Sequence, residues 1–190
     1  MSITHRWTSA DLELFADDGK RREIIDGEMY VSRQPAWGHQ DFIIQLGGDL
    51  NGWNRQTQLG RVATAPGLIF AEDEDVAPDL VWISNERLAR HMRGGKLYGP
   101  PELVVEILSP GTYNARRDRE AKLKLYSRQG VEEYWIADLP ARTVAIYRRD
   151  DSGLVPVATL GSGDTLTSPL LPGFAAPLAE LFAGIPLEEA

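Results

Sequence analysis

The chain has 190 residues, 43% of them hydrophobic, enough to bury one core and, on length, to form a single domain over residues 1–190. Acids outnumber bases 28 to 20, a formal net charge of −8 that excludes wholesale coating of nucleic acid but not a local basic surface. There is no cysteine for a disulfide, a thiolate metal site or a cysteine nucleophile, and no signal-like or membrane-length apolar run, so a soluble cytoplasmic protein is expected.

Thr8 or Ser9 can cap a short helix reaching Leu14 and Phe15, with Asp11 and Glu13 in the first turn, where the helix dipole favours acids. In REIIDGEMYVS, Asp26-Gly27 separates two short alternating runs, the signature of a hairpin whose two-residue turn needs positive φ. Glu23 and Glu28 flank that turn and read first as solvated hairpin carboxylates; Glu28 is kept as a secondary site candidate. Phe42, Ile43, Leu46, Leu50 and Trp53 follow helical spacing and predict a helix over residues 36–56. Gly47-Gly48 either weakens that helix or lets it pack closely on a neighbour. His39 near its start reads first as structural and second as a site residue, and no HxH or HxxxH spacing offers it a metal-ligating partner.

RVATAPGLIFA reads as one strand, bent or interrupted at Pro66-Gly67. An acidic loop then leads to Pro78-Asp79 and a short buried strand, Leu80 to Ile83, after which Ser84 or Asn85 can cap the helix ERLARHM. Leu103 to Leu108 is apolar except for Glu106 and lies between prolines, the pattern of a strand buried on both faces. A carboxylate in mid-strand there is costly unless it meets a cation, a donor or a wet cleft, so Glu106 marks a site. A helix follows from about Asn114 to Gln129, stopped by Gly130 in the left-handed conformation. EYWIAD and TVAIYRR read as two strands joined at Leu139-Pro140-Ala141, the tail as one or two more short strands, and PLAELFA as a short helix.

No GxSxG elbow, P-loop or GxGxxG occurs, so an activated serine and motif-based nucleotide binding are set aside. Two acids at strand positions and a nearby lysine remain. Two carboxylates can hold Mg²⁺, which keeps several waters and takes substrate phosphate as well. An ammonium beside them can orient water and balance charge on a phosphoryl group. That equipment suits phosphodiester hydrolysis.

These residues carry a resemblance. Pro78-Asp79, Glu106 ahead of LSP, and Asp118 and Lys122 within RRDREAKLKLYSRQGVEEYWIAD are similar to the Uma-two family of putative restriction endonucleases, within the PD-(D/E)XK nuclease superfamily. The similarity runs from REIIDGEMYV to SPLLPGFAAPLAELF. It implies an α/β (α+β) fold, a restriction-endonuclease-like mixed sheet flanked by helices, with an N-terminal helix and β-hairpin. It also implies Asp79 and Glu106 as holders of Mg²⁺ or Mn²⁺, DNA as substrate, and a homodimer. One position departs from the superfamily pattern: Leu108 stands where a lysine is wanted, so either the lysine has moved or the site is inactive.

Helical spacing bears on that choice. Arg117, Glu120, Lys124 and Arg128 form a charged stripe, whereas Asp118, Ala121, Lys122, Leu125 and Gln129 form a partly apolar one facing the sheet. Lys122 is therefore the predicted replacement, with Lys124 as the other candidate and Asp118 either a site residue or an i,i+4 partner of Lys122. Residues 116–128 hold six bases against two acids, and residues 86–96 four against one. Arg116, Arg117 and Arg119 are the leading candidates for phosphate contacts, and both basic segments are expected around the mouth of the cleft. The alternative function is a nuclease fold that binds DNA or a partner without cutting; a purely structural Glu106 network is the third reading.

Overall fold

A computed structural model describes residues 5–16, 18–32, 34–108 and 117–186, and of residues 117–119 the backbone alone. Arg116 thus lies outside the described residues, as do the side chains of Arg117, Asp118 and Arg119. Among the described residues no helix is long and apolar enough to cross a membrane.

The main sheet has six strands in the order β12-β11-β10-β9-β6-β3. They are β3 (Gly60–Thr64), β6 (Leu80–Ser84), β9 (Leu103–Ile107), β10 (Glu133–Asp138), β11 (Thr143–Asp150) and β12 (Gly153–Gly161). β9 and β10 are parallel, and the remaining neighbours are antiparallel, so the sheet is mixed. Every residue of β9 is buried, as its uninterrupted apolar run predicts.

The period of two divides that strand between two cores. Leu103, Val105 and Ile107 join Phe42, Leu46 and Leu50 of the long helix α2 (Trp37–Thr57). Val104 and Leu108 join Leu125 and Tyr126 of α4 (Leu123–Gln129), which is preceded by one π-helical stretch, Arg117–Lys122. Glu106 shares the parity of Val104 and Leu108, so it points to the α4 side. α2 lies close to β6: a Cβ on Gly47 would come 3.2 Å from Leu80 Cδ1, so the glycine serves close packing.

A second sheet of six strands, β2-β1-β5-β4-β8-β7, adds Ile25, Leu68, Val76 and Leu97 to the core on the α4 side. Its strands are β1 (Arg21–Ile25), β2 (Glu28–Ser32), β4 (Leu68–Ala71), β5 (Glu74–Val76), β7 (Met92–Arg93) and β8 (Lys96–Leu97). The β1–β2 hairpin forms as predicted, with Asp26 at φ 53° and Gly27 at φ 76°. α1 (Ser9–Leu12) is capped by Thr8, whose hydroxyl and backbone N–H both donate to Asp11, but it ends before Leu14 and Phe15. Ser84 caps α3 (Asn85–His91) by accepting the N–H of Arg87. The tail closes with the pair β13 (Thr165–Leu166) and β14 (Ala176–Pro177) and the short helix α5 (Leu178–Leu181).

Two expectations are corrected. RVATAPGLIFA is two strands rather than one, with the interruption expected near Pro66-Gly67: β3 and β4 belong to different sheets, and Ala65, at φ 47°, turns the chain between them. β12 runs for nine residues, longer than the short strands expected of the tail, because it pairs along β11 with one register shift at Ile146/Tyr147.

Candidate active site

The antiparallel register of β6 and β9 pairs Leu80 with Val105. Asp79 and Glu106 are therefore opposite positions one step beyond, at one end of two adjacent central strands. Asp79 shares the parity of Val81 and Ile83, both in the core on the α4 side, so the two acids occupy the same face. They are 4% and 2% exposed. The backbone N–H of Ile107 donates to Asp79 Oδ2 at 2.8 Å, tying the first acid to the strand that carries the second.

α4 supplies the cation. Lys122 stands at the junction of the π-helical stretch and α4, and Tyr126 lies one turn further on the same side. Lys122 Nζ is 2.8 Å from Glu106 Oε1 and only 1% exposed, and the Tyr126 hydroxyl donates to the same oxygen at 2.8 Å. Lys124, two residues on, is exposed. The stripe assignment of the sequence thus holds for the direction of both lysines.

Three further side chains converge: Arg21 and Glu23, which the sequence leaves outside the site, and His39, its secondary candidate. β1 contributes Arg21 and Glu23, two residues apart and hence on one face. Arg21 Nη1 donates to Asp79 Oδ1 at 2.8 Å, and Glu23 Oε1 lies 3.1 Å from Lys122 Nζ. Glu23 is fully buried and also accepts the N–H of Ala77, next to Pro78-Asp79. From the first turn of α2, His39 reaches Asp79 with Nε2 3.2 Å from Oδ2.

Burial pushes the Asp79 carboxyl up, but the His39 hydrogen bond and the charges of His39, Arg21 and Lys122 outweigh it and hold the group well below the usual carboxylate range. Burial also disfavours the Arg21 cation, yet Glu23, Glu106 and Asp79 raise its pKa above the ordinary value. Tyr126 is raised well above an ordinary phenol by burial and by the Glu106 charge, so it remains a hydrogen-bond donor. Three acids and two permanent cations, with His39, make the cluster nearly self-neutralising, the condition under which buried charges persist.

The remaining candidates fall elsewhere. Glu28 is exposed on the hairpin, where it accepts the Tyr30 hydroxyl at 2.8 Å. Arg87 overturns part of the expected basic rim. It follows the far end of β6, about 17 Å of strand from Asp79, and binds Glu102, Glu132 and the carbonyls of Pro100, Pro101 and Gly130. Arg128 is paired with Asp26 and Glu74 on the hairpin side.

A family model described as "Putative restriction endonuclease", Uma2, matches residues 8–179. The chain belongs to the Uma2 family. Its fold is similar to that of a putative nuclease of the DUF820 group from Anabaena variabilis, with a TM-score of 0.75, 17% identity, and coverage of 93% of this chain and 97% of that one. A weaker likeness, TM-score 0.41 and 16% identity, links 81% of this chain to 17% of the type IIG restriction endonuclease BpuSI. No curated protein matches the sequence. The mixed sheet flanked by helices is thus the restriction-endonuclease-like fold expected of Uma2, and the family gives the chain a nuclease-like character.

Among the described residues no three His, Cys, Asp or Glu side chains form a cage for a metal ion. Asp79 and Glu106 offer two hard carboxylates, and Asp79 Oδ1 accepts one bond of the two it can take. Buried Nε and Nη2 of Arg21 and Nδ1 of His39 meet no hydrogen-bond partner among the described residues, so the surroundings are polar and incompletely saturated. Two hard carboxylate donors, with no thiolate and a single imidazole beside them, fit Mg²⁺ or Mn²⁺ rather than zinc.

Proposed function

We propose that this Uma2 protein is a Mg²⁺-dependent endonuclease that hydrolyses phosphodiester bonds in DNA. The observation that carries the reading is the meeting of Asp79 and Glu106, opposite positions on adjacent strands, with the Lys122 ammonium 2.8 Å from Glu106. Asp79 and Glu106 would hold the metal, which when bound supplies a more acidic water and neutralises phosphate charge.

The chain's own groups do the rest. Lys122 orients the attacking water and offsets the charge that grows on the phosphoryl oxygens. Tyr126 fixes the Glu106 carboxylate by donating to Oε1. Arg21 and the Ile107 N–H fix Asp79, and His39 adds a donor on its second oxygen. Donors so placed hold the two carboxylates in a fixed orientation before a metal arrives. Two copies acting together, as a homodimer, would cut both strands of a duplex.

The test is cleavage of supercoiled plasmid by purified protein with Mg²⁺, with chelator, and with Glu106→Gln. Nicked and linear product confined to the wild type with Mg²⁺ supports the reading. DNA binding without cutting would instead mark a fold that recognises DNA and has lost its chemistry.

A further inference from the structure

We propose that Glu23 is a positioning residue for Lys122, and that the β1–β2 hairpin is therefore part of the catalytic apparatus; this rests on the nuclease reading above. Lys122 is strung between two buried carboxylates from different sheets, Glu106 at 2.8 Å on β9 and Glu23 at 3.1 Å on β1. An ammonium is a point charge with three donors on a flexible four-carbon stem, so one acceptor fixes its distance and leaves its direction open. A second acceptor on another element fixes both.

Glu23 is itself held. Its Oε1 accepts the Ala77 N–H at 3.0 Å, so the oxygen that meets Lys122 is tied to the segment leading into Asp79. Arg21, two residues earlier on the same face, has its Nη2 3.6 Å from that oxygen while Nη1 holds Asp79. One strand thus braces the lysine with its acid and the Asp79 carboxylate with its arginine. The hairpin is fastened in turn to α4, which begins directly after Lys122, because Arg128 bonds both Asp26 in the hairpin turn and Glu74 on β5. Burying two acids and a lysine together is often less stabilising than an apolar cluster of the same volume, which points to a use beyond stability.

The experiment compares wild type, Glu23→Gln, Lys122→Met and the double variant in single-turnover DNA cleavage. Mn²⁺ affinity and ¹⁵N relaxation of the Lys122 ammonium are measured on the same proteins. Positioning predicts that Glu23→Gln lowers kcat about 100-fold, the scale of a misplaced catalytic group, while KM and Mn²⁺ affinity hold. The double variant should be no slower than Lys122→Met alone, because both changes remove one function. The Lys122 ammonium should be ordered in the wild type and mobile in Glu23→Gln.

Wild-type kcat in Glu23→Gln, or an ammonium that stays ordered, would overturn the proposal. So would a fall in Mn²⁺ affinity equal to that of Glu106→Gln, which would make Glu23 a metal ligand instead. If Glu23→Gln does not fold, Glu23→Asp keeps the charge one methylene short; slow cleavage with normal Mn²⁺ affinity supports positioning, and wild-type cleavage overturns it. A wild-type protein that cuts nothing ends the nuclease reading, and the relaxation measurement then decides the positioning of Lys122 by itself.

Discussion

The backbone N–H of Ile107 donates to Asp79 Oδ2 at 2.8 Å, so the residue after one acid of the site holds the other. Neither carboxylate can move without disturbing β9, and both are buried. Asp79→Asn and Glu106→Gln keep shape and most hydrogen bonding but leave Arg21 or Lys122 without its acid, so the melting temperature should fall while the fold is kept, and cleavage should fall by about 10³-fold or more, the scale of losing a group that acts only in the transition state. Circular dichroism melts and single-turnover assays of the two variants check this; substantial residual cleavage in both would remove these acids from the chemistry.

The two lysines of the 122–124 segment should separate cleanly. Lys122→Met keeps the buried volume but strands Glu23 and Glu106 without their ammonium, and breaking a buried ion pair from one side costs on the order of 3–5 kcal/mol. Cleavage should be lost and the denaturation midpoint should fall together. Lys124→Met, at an exposed position, should change neither fold nor kcat. Equal losses in the two would undo the assignment of Lys122.

Tyr126→Phe removes one donor from Glu106 Oε1 and nothing else of that side chain's volume. A loss of about 1 kcal/mol in stability is expected, with cleavage slowed but not abolished, because Lys122 still meets the same oxygen. Urea denaturation and the cleavage rate, read on one preparation, decide it.

Much of this was legible in the sequence, and the reasons are local. An apolar run broken only by Glu106 reveals a buried strand acid whatever the fold, and the charged and apolar stripes of one helix settle which way Lys122 and Lys124 point. The hairpin is written in Asp26-Gly27. Glu23 reads as solvated in the sequence because it flanks a hairpin turn, and with Ile24 and Ile25 both apolar the alternation in β1 does not tell which face is inward; Lys122 and the Ala77 N–H, remote in sequence, meet it in the buried site. Arg21 and Tyr126 were missed for the same reason, since each acts on an acid far along the chain. The basic segment after β6 misled because net charge carries no direction: Arg87 closes the opposite end of the strands on Glu102 and Glu132.

Arg87→Ala should accordingly cost stability, about 1–3 kcal/mol for lost charge-assisted hydrogen bonds, and leave the salt dependence of DNA binding unchanged. Neutralising residues that do contact phosphate would lower the slope of log affinity against log salt. Binding measured by fluorescence anisotropy from low to physiological salt distinguishes the two.

Acid should unfold the metal-free protein partly through Asp79. Its folded pKa lies below the ordinary 3.8, so it contributes stability that is complete above that value and is lost as pH falls below it. Asp79→Asn in chelator should flatten the acid limb of the stability curve there and lower the neutral plateau, where the ionised carboxylate contributes in full. A limb of unchanged steepness would mean that Arg21 and His39 do not favour the ionised carboxylate.

The most direct test of the account is the anomalous scattering of Mn²⁺ in crystals of the wild-type protein. The account predicts a peak bound by carboxylate oxygens of both Asp79 and Glu106, at about 2.0–2.3 Å as for small oxygen-liganded divalent ions, with Lys122 still on Glu106. A saturating soak that leaves Arg21 on Asp79 with no peak between the two acids, or a metal bound elsewhere, would contradict it.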